Sequence, residues 1–553
     1  MYHSRQRIII AALGLLAWHG VLAADSDGVN PDDWPQYHRT ANAWRYSPLH
    51  QINSGNVQRL KVAWIHQPGD ITNGLQATPI VVNGVAYYTS PYNTVFAVNA
   101  ATGEQLWRYD PDIDPVVYQM ILTGQSRGVT VGRGKVFVGT SDGKFIALDE
   151  KTGKPVWIKQ VVKPRQCQCG FTSPPQLAGD ILYGGTMGGD FATSSAIHAV
   201  HADSGAPAWT LDTLRHDPQS WTETAAKYGG GAAWLPGTYD ADTHTIYIGT
   251  GNPAPDFDGL ARPGDNRYTA SLLALDPETG KIKWYNQEIP HGIWDYGAAF
   301  EVLRVKRDGK EYLVHPNKSG FVFVYPQQGG KPIRVWQMAR HVTVADGYDL
   351  EKGDFRGRVA DHKRGETTVM CPSSSGVRSW NHGAYNPDTG LWYNNTMEMC
   401  LRIKPVKIDP AALGLTQAYF GTEELEFMPP PGGASTHLEA RDPVTGKLGW
   451  SVDYHGAPGL GSLLTTGGNL VFDIDTLGVM RAHDARTGKE LWHFRLGSGS
   501  RGGIVSYAVK GKQYILATSG ISGWVYGSVS SVFKKIKSTP GGGIIVAFTL
   551  EDE

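Results

Sequence analysis

An all-β chain closed as a β-propeller is what the sequence predicts, on three observations: a tryptophan signature that recurs, hairpin turns at matching places in each period, and a glycine- and aromatic-rich composition. Seven segments share one ending. They are FAVNAATGEQLW to Trp107, IALDEKTGKPVW to Trp157, HAVHADSGAPAW to Trp209, LALDPETGKIKW to Trp284, FVYPQQGGKPIRVW to Trp336, EARDPVTGKLGW to Trp450 and RAHDARTGKELW to Trp492. A degenerate eighth, NVQRLKVAW, ends at Trp64. Most of these tryptophans are 42 to 52 residues apart, and the two longer intervals, 209 to 284 and 336 to 450, must hold insertions or a unit without the signature. Eight blades is the expected count and seven the alternative.

Each unit follows one grammar. An apolar strand meets a tight turn, a second strand returns, and an Asp/Asn-x-x-Thr-Gly turn leads into a strand that ends in Trp. In the first full unit, Ile80 to Val82 stop at Asn83-Gly84, a strong hairpin signal, and Val85 to Tyr88 return. The glycine of the second turn supplies positive φ and the Asp or Asn side chain bonds nearby backbone. The terminal indole is expected to pack between neighbouring sheets. Units built alike cannot differ in chemistry, so function is sought where the repeat breaks.

Composition and charge narrow the classes. Glycine is 68 of 553 residues, with 17 Trp and 25 Tyr, while charged residues are 19%, a profile that excludes a disordered chain. After the N-terminus no apolar run approaches the roughly 20 residues of a membrane helix, which excludes a polytopic membrane protein. Lys plus Arg (51) balances Asp plus Glu (52), so no field draws the chain to nucleic acid or an anionic membrane. Arg5 and Arg7, the apolar run Ile8 to Trp18 and the small pair Ala23 and Ala24 have the order of a secretory signal. The expected division is therefore a signal peptide over 1–24 and one domain over 25–553, with insertions around 210–270 and 337–449, in a periplasmic protein with no membrane span after cleavage. None of the four cysteines stands in a Cys-x-x-Cys-His haem site. In an oxidising compartment Cys371 and Cys400, closing a loop of about 30 residues, are expected to form a disulfide contributing ~3 kcal/mol. Cys167 and Cys169, one residue apart, read equally as thiols or as a bridge.

Three stretches break the repeat: GTGNPAPDFDGLARPGDNR from Gly249, PHGIWDYGAA from Pro290 and GISGWVYG from Gly520. Their order and spacing on Trp-signature blades, after an opening Trp34-Pro-Gln-Tyr, resembles the pyrroloquinoline-quinone (PQQ)-dependent alcohol dehydrogenases, the methanol and ethanol dehydrogenase group. The resemblance runs from about Asp33 to Leu550. It implies a planar quinone across the propeller axis with Trp234 against one face. Arg127, Thr172, Gly188 and Gly189 fall at positions that bind the cofactor in such enzymes, as do Gln76, Gly523 and Trp524. Asp190, Asn252 and Asp295 match the metal ligands, and a hard cation such as Ca²⁺ takes six to eight oxygens of this kind. Asp295 also matches the catalytic base. Lys318 stands where a cationic side chain touches the quinone oxygens. The implied reaction passes a hydride from the alcohol to the quinone while Asp295 takes the hydroxyl proton and the cation polarises the quinone carbonyl. Lanthanide-using relatives carry a further acid two residues after the base; here Gly297 stands there, which favours calcium.

The chain also departs from the pattern. Ile121 and Leu122 replace two adjacent cysteines, Gln76 replaces a Glu, and Asp190 replaces the longer metal-binding Glu. Gly459 or Leu460 takes the place of a pocket Trp, which together with the other changes points to a substrate bulkier than methanol. A further quinone contact falls among Asn394, Asn395, Met397 and Glu398. The resemblance implies a separate periplasmic cytochrome c as electron acceptor and a homodimer. Two alternatives stand beside an alcohol dehydrogenase: a PQQ-dependent sugar or polyol dehydrogenase, and a non-catalytic propeller scaffold. A metal hydrolase is set aside, because neither a His-Glu-x-x-His motif nor a cluster of His ligands occurs in the sequence.

Overall fold

The structure is a computed structural model that describes residues 28–69, 71–72, 74–120, 124–214 and 219–551; the side chains of Trp524 and Val525 are outside the description. The secretory signal and the pair Ile121 and Leu122 fall outside the described residues. What is described is an all-β propeller. In the first full unit, strands Ile80–Val82, Val85–Thr89, Val95–Asn99 and Gln105–Tyr109 form an antiparallel meander in chain order. Its first turn is the expected one, with Asn83 at φ 51° and Gly84 at φ 75°, the paired positive angles of a hairpin turn whose twist matches its strands. Among the described residues eight sheets have four or five strands, and seven of these repeat this meander. The eighth joins the two ends of the described chain: Leu60–His66 pairs antiparallel with Ile544–Leu550, itself beside Lys512–Ser519.

The repeated tryptophans do the coupling. Each stands on the outermost strand of its sheet, and in all but Trp492 the ring lies against the glycine of the next unit's turn. A Cβ on Gly103 would sit 2.8 Å from the Trp64 ring. Gly153 meets Trp107, Gly205 meets Trp157, Gly280 meets Trp209, and Gly446 meets Trp336 in the same way. The indole N–H then donates to a backbone carbonyl next door, as from Trp64 to Ala100 O (3.0 Å) and from Trp107 to Glu150 O (3.1 Å). One residue type thus buries apolar area and satisfies a donor at the same sheet-to-sheet contact. Trp492 continues the series by packing edge-on to Phe548 of the joining sheet, ring centroids 5.3 Å apart.

Both long tryptophan intervals hold insertions. Between Trp209 and Trp284 lies a segment with a short helix, Glu223–Lys227, ahead of the next meander. Between Trp336 and Trp450 a hairpin, Gly347–Asp349 with Asp354–Arg356, and a three-stranded sheet, Thr368–Met370, Cys400–Pro405 and Thr422–Met428, precede or interrupt the meander. Cys371 and Cys400 are bridged as expected, and the open choice at Cys167 and Cys169 resolves as a second disulfide.

Candidate active site

Two of the three breaks in the repeat, those from Gly249 and Pro290, converge on one cavity of about 1100 Å³, its open mouth included. Its wall carries Arg127, Thr172, Gly188, Gly189, Asp190, Trp234, Asn252, Asp295 and Lys318, nine of the residues singled out from sequence. Strand ends and loops present them.

Asp295 is held in the left-handed region at φ 57°, an unfavourable conformation for a non-glycine residue. Its neighbours hold it there. Trp294 and Tyr296 are buried and stacked, 5.9 Å between centroids, and the Tyr296 hydroxyl donates to Pro372 O at 2.5 Å. Lys318 comes from the turn between strands Lys310–Pro316 and Phe321–Pro326, and its Nζ donates to Asp295 Oδ1 at 2.8 Å. Lys318 N also donates to Gly297 O at 3.3 Å, clipping the two loops together. Beneath the turn, buried Glu288 accepts from Asn317 Nδ2 (2.9 Å) and the Tyr325 hydroxyl (2.9 Å) and pairs with His315 Nδ1 (2.7 Å).

The second wall is the Gly-Asn-Pro-Ala-Pro loop. Asn252 Nδ2 donates to Asp190 Oδ1 (3.3 Å) and to Asp256 Oδ1 (3.0 Å). Asp190, Asp256 and Asp295 each bring one carboxylate oxygen within 4.8 Å of the others. Asp256, absent from the sequence-derived ligand set, is fully buried, and among the described residues its Oδ2 has no hydrogen-bond partner. Arg262, from the Arg-Pro-Gly-Asp-Asn motif, fastens this loop. Its guanidinium donates to Pro255 O (3.0 Å), Asp256 O (3.3 Å), Asn266 Oδ1 (2.7 Å) and, across to the Asp295 loop, Gly292 O (2.5 Å).

Charge is concentrated here. Burial pushes the Asp295 carboxyl up to about 7; Lys318 opposes the shift and Asp190 adds to it. Burial likewise raises Asp256 well above the carboxylate range, reinforced by Asp190 and Asp295. On Lys318 burial works against the charge, but Asp295 and Asp190 outweigh it and the ammonium is stabilised. At the other end, burial lowers Arg127 to about 10, and burial together with Arg127 lowers Arg501 to about 9. Among the described residues neither guanidinium has a carboxylate partner. Arg127 donates to Thr172 O (3.2 Å) and Gln125 Oε1 (2.9 Å), while Arg127 Nε, Arg501 Nε, Arg501 Nη1 and Thr172 Oγ1 have no partner. Two buried cations without counter-charge make a site for an anion.

Arg127 lies between two indoles, 4.8 Å from the Trp234 ring and 4.6 Å from that of Trp380. Sequence places this arginine at the rim of a stacked ring; in the structure it covers the indole face, where a buried guanidinium gains cation–π attraction. Trp380, Arg501 and Asp256 carried no recognisable signal, since each sits in a glycine-, serine- or proline-rich turn and meets the site only through long-range folding.

Other sequence-derived residues stand elsewhere. Gln76 is buried two residues before Thr78, whose N–H donates to Arg127 O (3.1 Å), and is not part of the cavity wall. Gly523 precedes and Trp524 opens the helix Trp524–Val532, and Gly523 is likewise off the wall. Leu460 packs with Met397, Met399 and Phe533 rather than facing the cavity, and Gly459 abuts Asn395. Of the four candidates near Asn394, that residue accepts from Arg378 and Glu398 accepts from the Arg340 and His341 N–H groups. Only Asn395 among them is a buried amide with both side-chain polar atoms unpartnered.

The long insertion lines the mouth. Tyr419 N donates to Asp190 O (2.8 Å), Phe257 N to Phe420 O (2.9 Å), and Arg364 forks onto Asp258 with bonds of 3.0 and 2.8 Å. Phe420 and Leu425 of the insertion join Phe257, Phe191 and Met187 as an apolar wall.

Known proteins resemble this chain in sequence and fold. The family described as the β-propeller domain of glucose/ethanol/alcohol dehydrogenases, under the heading PQQ, matches residues 34–344 and 422–515. The quinoprotein alcohol dehydrogenase PedH of Pseudomonas putida is 34% identical over 548 residues, 92% of this chain and 89% of that protein. A quinohemoprotein alcohol dehydrogenase of Comamonas testosteroni is 34% identical over 524 residues, 90% of this chain and 73% of the relative. Among solved structures, a europium-containing methanol dehydrogenase superposes with a TM-score of 0.87 at 27% identity, covering 94% of this chain and 98% of that one.

Proposed function

Because the chain belongs to the PQQ-dependent alcohol dehydrogenase family and is an oxidoreductase acting on alcohols, we propose that it oxidises an alcohol bulkier than methanol to the aldehyde or ketone, with Asp295 as the base. One observation carries this reading. Asp295, paired to Lys318 at 2.8 Å, shares a cavity with a carboxylate cluster on one side and two unpaired buried guanidiniums on the other. A planar polyanion with a hard cation at its edge matches that donor set.

When bound, the quinone supplies the hydride acceptor and the cation a Lewis acid. The chain's own groups do the rest. Asp295 takes the hydroxyl proton of the alcohol, and its raised pKa makes it a stronger base than an exposed carboxylate. Lys318 holds that carboxylate in place and supplies positive charge where negative charge develops. Arg127, Arg501 and Thr172 hold the cofactor's acidic groups. Trp234 offers a flat face, which Arg127 must leave for a ring to stack there. Asp190 and Asn252 hold the cation with Asp295. The Gly297 criterion selects Ca²⁺, but it does not weigh the Asp256 carboxylate. The wall of Phe257, Phe420 and Leu425 supports a substrate with an apolar body.

The eight sheets and the serial Trp–Gly contacts support eight blades in a single domain with insertions around 210–270 and 337–449. Among the described residues no helix is long and apolar enough to cross a membrane. A periplasmic location after removal of the leader, electron transfer to a separate cytochrome c, and a homodimer complete the reading. The test is steady-state dye reduction by the purified protein with PQQ and each cation on a panel of alcohols and aldoses. Activity on longer primary alcohols is expected; highest efficiency on methanol overturns the substrate assignment, and no cofactor-dependent turnover overturns the reading as a whole.

A further inference from the structure

The buried Oδ2 of Asp256 needs a partner. The residue is fully buried, lines the cavity, and contributes an oxygen to the cluster with Asp190 and Asp295, yet only its Oδ1 is hydrogen-bonded, to Asn252 Nδ2. An ionised carboxylate in that position, beside two others, is strongly unfavourable without a counter-charge. Lys318 and Arg262 offset part of that charge from a distance, but neither hydrogen-bonds the carboxylate: Lys318 Nζ is engaged by Asp295 Oδ1 at 2.8 Å, and the Arg262 guanidinium reaches the Asp256 backbone carbonyl. The loop is nevertheless fastened rigidly enough to keep the carboxylate facing the cluster.

Resting on the proposed reading that this cavity holds a quinone and a hard cation, we propose that Asp256 is itself a ligand of the cation and that its carboxylate tunes the site toward a trivalent, lanthanide-class ion over Ca²⁺. The physical argument is comparative. Ca²⁺ and lanthanide ions both take many oxygen ligands, so ligand type does not separate them. Charge does. Coulomb attraction to one more carboxylate grows with the charge of the ion, so adding Asp256 to the Asp190, Asn252 and Asp295 set favours the trivalent ion more than the divalent one. The side chain at 297 cannot contribute, being absent, and a Cβ there would already lie 3.1 Å from Gly251 Cα and 3.2 Å from Asn252 N. Asp256 delivers the extra charge from the opposite loop instead.

The test compares the full-length protein with D256N and D256E, each reconstituted with PQQ. Tb³⁺ binding is followed by indole-sensitised luminescence, Ca²⁺ by competition, and both by the shift in unfolding temperature. The expected result is that D256N lowers Tb³⁺ affinity by about tenfold or more while Ca²⁺ affinity falls by much less, and that D256E keeps the preference for Tb³⁺. Equal losses for both ions, or no loss for either, overturn the role of Asp256 while leaving the quinoprotein reading intact. If D256N does not fold, D256E decides: loss of the preference for Tb³⁺ over Ca²⁺ with charge retained overturns the proposal. Failure of wild-type protein to bind either ion overturns both this proposal and the function it rests on.

Discussion

Lys318 Nζ donates to Asp295 Oδ1 at 2.8 Å, and this pair sets the protonation of the base. Burial holds the Asp295 carboxyl up near 7, and the ammonium is the one neighbour that pulls it back. A base acts only when ionised, so removing the positive charge must move its pKa upward and empty the active form at neutral pH. K318M is therefore expected to shift the acid limb of the kcat/KM profile to higher pH, with partial recovery of rate in alkaline buffer; K318R shifts it less. D295N, which has no base at any pH, is expected to lose about 10²- to 10⁴-fold across the whole profile. An acid limb that stays in place in K318M would show that the lysine does not control the base.

Arg262 predicts a loss of a different kind. Its guanidinium bridges the Asn252 loop and the Asp295 loop through four acceptors, all in the buried interior. R262A strands those acceptors at about 1–3 kcal/mol each where water cannot reach them, so a stability loss of several kcal/mol is expected in urea unfolding. Lysine keeps the charge but cannot reproduce the fork. R262K should fold, yet bind a cation more weakly, since the two ligand loops are no longer tied. Cation affinity equal to wild type in R262K would refute the coupling.

How much of this was legible follows from what is local. The Trp-ending units, the Asn83-Gly84 hairpin and the Asp-x-x-Thr-Gly turns are written in short windows, where turn chemistry and strand alternation act within a few residues. The insertion intervals showed in the spacing of Trp209, Trp284, Trp336 and Trp450. Asp190, Asn252 and Asp295 were readable through motif order. Asp256 was not, because an Asp one residue after Pro255 looks like any turn residue until Asp190 is folded against it. Arg501 sits in a glycine-rich turn more than 370 residues from Arg127, a pairing that only closure of the blades creates. Gln76 and Gly523 went the other way: their motifs were in register, but the folded loops put them off the cavity wall.

His38 and His382 give a pH dependence of stability that is separate from catalysis. The rings stack 4.6 Å apart in the interior, with the two Nδ1 atoms 3.1 Å from each other, so one donates and the other accepts, which requires at least one ring to be neutral. Burial depresses His38 to about 3, and burial, with His38 next, depresses His382 well below its ordinary value. Both folded-state values lie under the unfolded value near 6.5. Above about pH 6.5 neither state binds these protons and nothing changes; as pH falls below it the unfolded chain takes up two protons that the folded chain refuses. Stability is then lost at up to ~1.4 kcal/mol per pH unit for each ring. Urea unfolding between pH 7.5 and 5 should show this fall, and the double variant H38N/H382N, which keeps a polar atom near each Nδ1, should show a shallower one. Equal slopes would mean other groups dominate acid unfolding.

Gly103 tests whether the tryptophan contacts hold the ring of sheets together. It stands at φ +77°, where an L-residue loses about 1–2 kcal/mol, and its missing side chain makes room for the ring of Trp64, which a Cβ would approach to 2.8 Å. Trp64 belongs to the sheet that joins the two ends of the described chain, so this contact bears on closure and not on one blade alone. G103A should therefore cost more than its backbone strain, with roughly 1–3 kcal/mol added for the displaced indole. W64F relieves the crowding but gives up the 3.0 Å bond from Trp64 Nε1 to Ala100 O. The double variant G103A/W64F is expected to be less destabilised than the sum of the two single changes, because the smaller ring makes space for the methyl. Additive losses in urea unfolding would mean that the alanine is penalised by its backbone angle alone and that the ring does not wedge into the turn.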